Sequence, residues 1–366
     1  MSRAARTLTL LAAAAALLVS VSAVNASTIV DRNASAVSLQ VSAAGEALVS
    51  YKAKGKPMRV LARGAINALA PTRASRQTNF AFDYSGGFQS HYRSSATVKA
   101  ELAKLRLLQA QMTKATAARD NPRRYALAPR IAASFRTLAG MRKAATSFRN
   151  VCRPYRGPAL PWLVVGCTAP DGSFWALQSW QRMLPNLGLT PWLSAQSDWE
   201  LRLSHWSGPL PILEIHLDWV NTQKAAHLFG RLSYLGLPVH GFGSTNLGDP
   251  TDSFGRNIYL DTFGSAYGAG WKRENSFLTH NPGGNFCYGF YPHAPYAGYP
   301  AGQRPAGHGT RYRATVIGPG VLPDVGWAGA GIGSFDSGDP AKIAFEQEMN
   351  ELSDSFGAAD TLCRQH

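Results

Sequence analysis

Between Leu213 and Trp219 the chain alternates strictly: Leu213, Ile215, Leu217 and Trp219 fall on one side, Glu214, His216 and Asp218 on the other. A two-residue period with that contrast is a β-strand packed on one face. The strand closes a stretch from Trp162 that reads as the central strands of an antiparallel sheet. Trp162 to Thr168 is rich in Val, Leu and Trp, Pro170-Asp171-Gly172 supplies turn chemistry, and Ser173 to Ser179 resumes the strand pattern. The segment ELRLSHW from Glu200 to Trp206 is echoed by EIHLDW from Glu214 to Trp219, which predicts two adjacent strands of one sheet. No longer repeat period is present, so the sequence gives no support to a solenoid or propeller.

Around this centre the chain divides into regions. Residues 27–94 carry short strand-like runs, Ala36 to Val41, Ala47 to Tyr51 and Met58 to Leu61, separated by turns. Residues 95–150 change period. Val98, Leu102, Leu105 and Met112 recur at spacings of four, three and seven, and Ile131, Phe135 and Leu138 follow Pro129 at helical spacing. With Arg119 to Arg124 read as the connecting turn, this is a basic helical hairpin inserted between β segments. Residues 151–366 form a β-rich core. A hairpin turns at Gly236 between Leu228–Tyr234 and Leu237–Phe242, and further strands fall near Asn257–Asp261, Ser276–His280, Asn285–Phe290 and Arg311–Ile317. Tyr291 to Gly309, rich in Pro, Gly and Tyr, reads as an extended surface loop. Asp339-Pro340 then opens a helix whose stripe of Phe345, Met349, Leu352 and Phe356 should lie across the sheet. The expected fold is mainly β, a sandwich-like antiparallel core with an inserted basic helical hairpin and a C-terminal helix, α+β overall.

Residues 1–26 have the layout of a secretory signal peptide: Arg3 and Arg6, an apolar run from Leu8 to Val19, and small residues at Val24-Asn25-Ala26 before a mature start at Ser27. No later stretch approaches the ~20 apolar residues of a membrane span, so no transmembrane anchor is expected. Four cysteines suit an oxidising compartment and allow three pairings. The pairing of sequence neighbours is Cys152–Cys167 with Cys287–Cys363, and an even count favours bridges over a reactive thiol at Cys287. A secreted, extracellular location, in association with the cell wall, follows from these signals.

The charge is uneven. Formal net charge is +15, yet residues 51–150 hold 20 Lys and Arg against three acidic residues while residues 151–366 hold 14 against 17. Such concentration points to a polyanionic partner, with Arg119, Arg123, Arg124, Arg142 and Lys143 as the candidate binding residues. A cell-wall polyanion or polysaccharide fits an exported chain better than nucleic acid.

Phosphate-binding loops, dinucleotide fingerprints, zinc-protease helices, nucleophile elbows and paired C-x-x-C motifs are all missing from the sequence. No cofactor or metal is expected; Asp249, Asp252 and Asp261 lack the spacing of a calcium loop. The best catalytic candidates are Glu214, His216 and Asp218, with neighbours roughly 6–7 Å apart on one strand face. If the two echoing strands pair, Glu200, Arg202 and Ser204 lie beside them. The row would suit acid–base cleavage of a polysaccharide, or cross-strand Arg–Glu pairing on a sheet surface. Aromatic residues in strands are first of all packing, and Trp175, Trp180, Trp199 and Trp219 are read that way.

The wording of Gly166–Gln181 (GCTAPDGSFWALQSWQ), Arg202–Trp206 (RLSHW), Phe286–Pro292 (FCYGFYP) and Ala314–Val321 (ATVIGPGV) resembles a family of exported proteins from high-GC Gram-positive bacteria. The resemblance covers most of the chain after Asn150 and, more loosely, the strands before Ala70. It implies export and a Gram-positive setting, and no chemistry. The expected function is therefore a secreted or envelope-associated, non-catalytic protein whose basic region meets polyanionic wall or surface partners. The alternative is a secreted polysaccharide hydrolase using Glu214 and Asp218 with His216.

Overall fold

A computed structural model describes residues 28–69, 78–181, 198–220, 225–239, 258–265, 268–273, 277–280, 285–290, 310–330 and 338–355. The first described strand, β1 (Thr28–Arg32), leaves at once for the centre of the molecule, and the next four make the expected meander. β2 (Ser35–Val41), β3 (Ala47–Ala53), β4 (Lys56–Arg63) and β5 (Ala81–Asp83) pair antiparallel in sequence order. Asp83 ends β5 and starts a π-helical turn, Phe88–Arg93. Its carboxylate accepts hydrogen bonds from the backbone N–H groups of Ser85 and Ser90, both at 2.9 Å, and from both serine hydroxyls. Burial works against the charged form, yet these hydrogen bonds hold the Asp83 carboxyl well below the usual carboxylate range.

Two long helices follow, α1 (Ala96–Ala117) and α2 (Asn121–Thr146). At 1.5 Å per residue they run about 33 and about 39 Å. Their buried residues explain the hairpin. Val98, Leu105, Met112, Leu108 and Ala115 on α1 fall at heptad positions and close on Leu127, Ile131, Ser134, Leu138 and Met141 of α2, the geometry of a short antiparallel coiled coil. The helices pack chiefly on each other and on the π-helical turn. Two expectations change. The second helix does not begin after Pro129: Asp120 caps it by accepting from Arg123 N, Pro122 sits in its first turn, and Pro129 lies inside it. The connecting turn is therefore only Ala118–Asp120, and Arg123 and Arg124 are helical. Phe135 is exposed because the seam runs through Ser134 instead.

The strands described in the remaining chain all pair antiparallel. β6 (Arg153–Pro154), β7 (Leu163–Thr168), β8 (Phe174–Gln181) and β9 (Trp199–Trp206) form a sheet with β1 in the order β1-β9-β8-β7-β6. β10 (Ile212–Val220), β11 (Ala225–Tyr234) and β12 (Leu237–Pro238) come next. The turn at Leu235-Gly236 has positive φ at both residues, as a two-residue hairpin requires. β13 (Ile258–Ser265), β14 (Gly268–Arg273), β15 (Phe277–His280), β16 (Asn285–Phe290), β17 (Arg311–Val316) and β18 (Val325–Ala330) complete two more sheets, ordered β10-β11-β16-β15 and β14-β13-β17-β18. Helix α3 (Pro340–Ser355) starts as expected, with Asp339 accepting from Ala341 N at 3.0 Å.

The layers meet on the two faces of β8 and β9. Trp175, Leu177, Leu201 and Leu203 pack against Val41, Val49 and Val60 of the N-terminal meander. Ala176 and Trp206 face the other way, toward Ile215, Leu232, Leu260, Tyr312 and Ala314 of the two later sheets. Strand β9 is thus buried on both sides. The echoing strands do not pair: β9 lies between β1 and β8, and β10 opens a different sheet against β11. Cys152 and Cys167 form a disulfide across the β6–β7 edge, with Cα atoms 5.5 Å apart. Closing a loop of that length restricts the unfolded chain by about 3 kcal/mol. Cys287 is a β16 residue, while Cys363 and residues 1–26 lie outside the described residues.

Candidate functional site

The strongest concentration of unneutralised charge is the helical hairpin. Residues 95–150 carry twelve Lys and Arg against Glu101 and Asp120. Both acids have local tasks. Glu101 faces the seam beside Ser134 and accepts from Lys104 Nζ at 3.4 Å, and Asp120 is the cap of α2.

The five candidate binding residues fall into two groups. Arg119, Arg123 and Arg124 cluster at the tip with Lys114 of the last turn of α1, and all four are exposed. Arg142 and Lys143 lie near the base, roughly 28 Å away along α2. Arg142 is also committed locally, its guanidinium 5.1 Å from the Phe88 ring in a cation–π contact. Beside the tip cations stands Tyr125, 79% exposed, a residue the sequence reading passed over. Its exposure follows from the heptad: with Leu127 and Ile131 on the seam, position 125 points outward.

The tip turn itself holds an unusual residue. Arg119 N bonds Thr116 O at 3.1 Å and Asp120 N bonds Ala115 O at 2.9 Å, a Schellman closure of α1. The left-handed position in such a motif is ordinarily glycine. Here it is Arg119, at φ 56°. A side chain in that conformation costs about 1 kcal/mol.

At the base, a cleft of about 270 Å³ separates the hairpin exit from the β2–β3 turn, lined among others by Ser42, Glu46, His91, Thr146 and Arg149. His91 Nε2 and Glu46 Oε1 close one side at 3.3 Å. The volume is below that of an ordinary small-molecule pocket.

Of the acidic row on β10, Glu214 is the member whose side chain is described. Glu214 is paired across the sheet with Arg231, which bonds its carboxylate through Nε and bonds Glu348 of α3 through Nη1. This is cross-strand Arg–Glu pairing, extended to the C-terminal helix. His216 and Asp218 stand opposite Phe229 and His227 in the register; their side chains lie outside the described set. Glu200 and Arg202, expected beside them, are instead buried in the other sheet, 2.5 Å apart, with Arg32 at 3.3 Å from Glu200.

A serine–histidine contact does occur, between Ser173 and His205, at 3.0 Å. It is not a nucleophile. The carboxylate of Asp171 accepts from the serine instead of orienting the imidazole, and Ser173 is only 2% exposed. Among the described residues, no group of three or more His, Cys, Asp or Glu side chains converges as a metal site, and no helix is long and apolar enough to cross a membrane. Of the tryptophans read as packing, Trp175 and Trp180 are buried, Trp199 is exposed, and the Trp219 side chain lies outside the described set. Comparison with known family models, curated proteins and solved structures finds no match.

Proposed function

We propose that this chain is an exported, envelope-associated binding protein, non-catalytic, whose β body carries the basic hairpin as an arm toward wall or surface polyanions. One observation carries the reading: the tip keeps an arginine, Arg119, at a left-handed position where glycine would be unstrained, and surrounds it with Lys114, Arg123 and Arg124, against the single carboxylate of Asp120, which caps α2. Strain held at an exposed charged residue supports use of that charge. The Cys152–Cys167 bridge agrees with an oxidising compartment, and the resemblance to exported proteins of high-GC Gram-positive bacteria fits the same setting.

Binding of this kind acts by counterion release and is salt-sensitive. The test is retention of the full chain on dextran sulfate beads. With about four tip contacts, affinity should fall roughly fiftyfold between about 50 and about 200 mM salt. Arg119→Ala/Arg123→Ala/Arg124→Ala should lose most of that slope while Glu214→Ala keeps it. Absence of retention at low salt, or a slope untouched by the triple substitution, would overturn the proposal.

A further inference from the structure

Away from the hairpin, one face of the β14-β13-β17-β18 sheet carries a row of alternating guanidinium and aromatic groups. Strand β17 reads Arg-Tyr-Arg-Ala-Thr-Val: Tyr312, Ala314 and Val316 enter the core, so Arg311, Arg313 and Thr315 share the opposite face. Register places Phe263 beside both Arg311 and Trp271, and Asp261 beside Arg313. Arg313 is held between two indoles, its guanidinium carbon 4.2 Å from the Trp162 ring and 4.3 Å from the Trp271 ring. Arg311 lies 4.3 Å over Phe263 and 5.6 Å from Trp271. All three rings are half-buried and Arg311 is exposed.

Three features distinguish this row from mere packing. Trp162 adopts φ 60°, a left-handed conformation that a bulky side chain rarely takes, and its Nε1 donates to Thr315 Oγ1 at 3.0 Å. Backbone strain is thus spent on setting an indole against Arg313. Second, the cations outnumber their partners. Buried Asp261 accepts from Arg313 Nε at 2.8 Å, and Arg311 makes no ion pair among the described residues. Third, β18 sets Gly326 and Ala328, both exposed, beside Thr315 and Arg313, so nothing bulky from that strand rises beside the row.

Stacked guanidinium groups keep their donors in fixed planes, and two of them two residues apart on a strand sit roughly 6–7 Å from each other. Ring edges between them offer apolar contact that a sugar ring can use. We propose that this face is a binding site for an acidic oligosaccharide, with Arg311 and Arg313 taking carboxylates and Trp271 and Phe263 contacting the sugar. It is separate from the hairpin and does not depend on the hairpin's partner.

The experiment titrates the full chain with oligogalacturonate, followed by calorimetry and tryptophan fluorescence, with maltohexaose and linear polyphosphate in parallel. Saturable oligogalacturonate binding is expected, weakened about tenfold or more by Arg311→Ala, abolished by Ala328→Glu, and unchanged by the triple substitution at the hairpin tip. Neither single substitution removes a buried contact, so thermal melting should stay within a few degrees of the parent chain. No saturable binding, equal affinity for maltohexaose or polyphosphate, or loss in the tip variant with Arg311→Ala unaffected would each overturn the proposal.

Discussion

His205 Nε2 lies 3.0 Å from Ser173 Oγ, and the same hydroxyl lies 2.7 Å from the Asp171 carboxylate. His205 Nδ1 is 2.6 Å from the carbonyl of Ala65, which can only accept, so Nδ1 carries the proton. In the neutral imidazole Nε2 then has a lone pair, and two acceptors compete for the one hydroxyl proton of Ser173. A protonated imidazole would satisfy all three groups, yet burial between Trp175, stacked at 3.7 Å, and the strand core pushes His205 down to about 4, against the smaller upward pulls of Ala65 and Asp171.

That conflict gives a pH dependence with a definite sign. Between pH of about 6.5 and about 4 the unfolded chain binds a proton at His205 that the folded chain refuses, so stability rises with pH through this window. The contribution is whole above the ordinary histidine value and is lost on acidification, by about 3 kcal/mol at the lower limit. Urea denaturation at a series of pH values should show this slope, and His205→Asn should flatten it. A slope unchanged in the variant would assign it to other groups. Asp83, held low, loses its contribution only below the ordinary carboxylate range, so the two windows do not overlap.

Asp324, fully buried, ties two layers together. It accepts from Trp180 Nε1 at 2.6 Å and from Gly318 N at 3.0 Å, and its backbone N–H and carbonyl are both bonded by Gln178. Arg202 lies 3.9 Å away. Asp324→Ala should therefore cost about 3–5 kcal/mol, because it strips a buried cation and an indole N–H of an acceptor. Asp324→Asn, which keeps the shape and one acceptor oxygen, should cost less. Equal losses for both, measured by denaturant midpoint, would mean that the charge facing Arg202 accounts for the whole cost and the oxygen that asparagine keeps for none of it.

This network marks where sequence reasoning stops. Periodicity found the meander, the hairpin, β10 and α3, because apolar residues recur along each at the period of the element. It misplaced β9, whose Glu200, Arg202 and Ser204 look like a solvent face in sequence and are covered by a further layer. Burial on both faces erases the contrast on which alternation depends, and a buried ion pair has the composition of a surface. β18 went unnoticed because Val-Gly-Trp-Ala-Gly-Ala has too few branched side chains to read as a strand. At the hairpin the basic character was legible, but a stripe through Phe135 could not be told from the true seam through Ser134 without the partner helix. For the same reason the five basic residues read as one group, where the helix axis separates tip from base.

Arg231 joins three elements: Glu214 on β10, its own strand β11, and Glu348 with Phe345 on α3, the guanidinium 6.0 Å from that ring. These ion pairs are partly exposed, and pairs of that kind contribute on the order of 1 kcal/mol or less. Arg231→Ala should thus lower global stability slightly while speeding amide exchange across residues 340–355. Glycan cleavage abolished by Glu214→Ala, with α3 still protected, would instead revive a hydrolytic role for β10.

Arg119 sets stability against binding. Replacing it by glycine removes the left-handed strain of about 1 kcal/mol but adds backbone freedom to the unfolded chain, leaving a net gain of about 0.5 kcal/mol in the hairpin. The same change deletes one of the four tip cations and should reduce the salt slope of polyanion retention by about one contact. Helix melting followed by far-ultraviolet circular dichroism and retention on dextran sulfate would then move in opposite directions. A purely structural arginine predicts the first shift alone: Arg119→Gly would stabilise the turn and leave retention where it was.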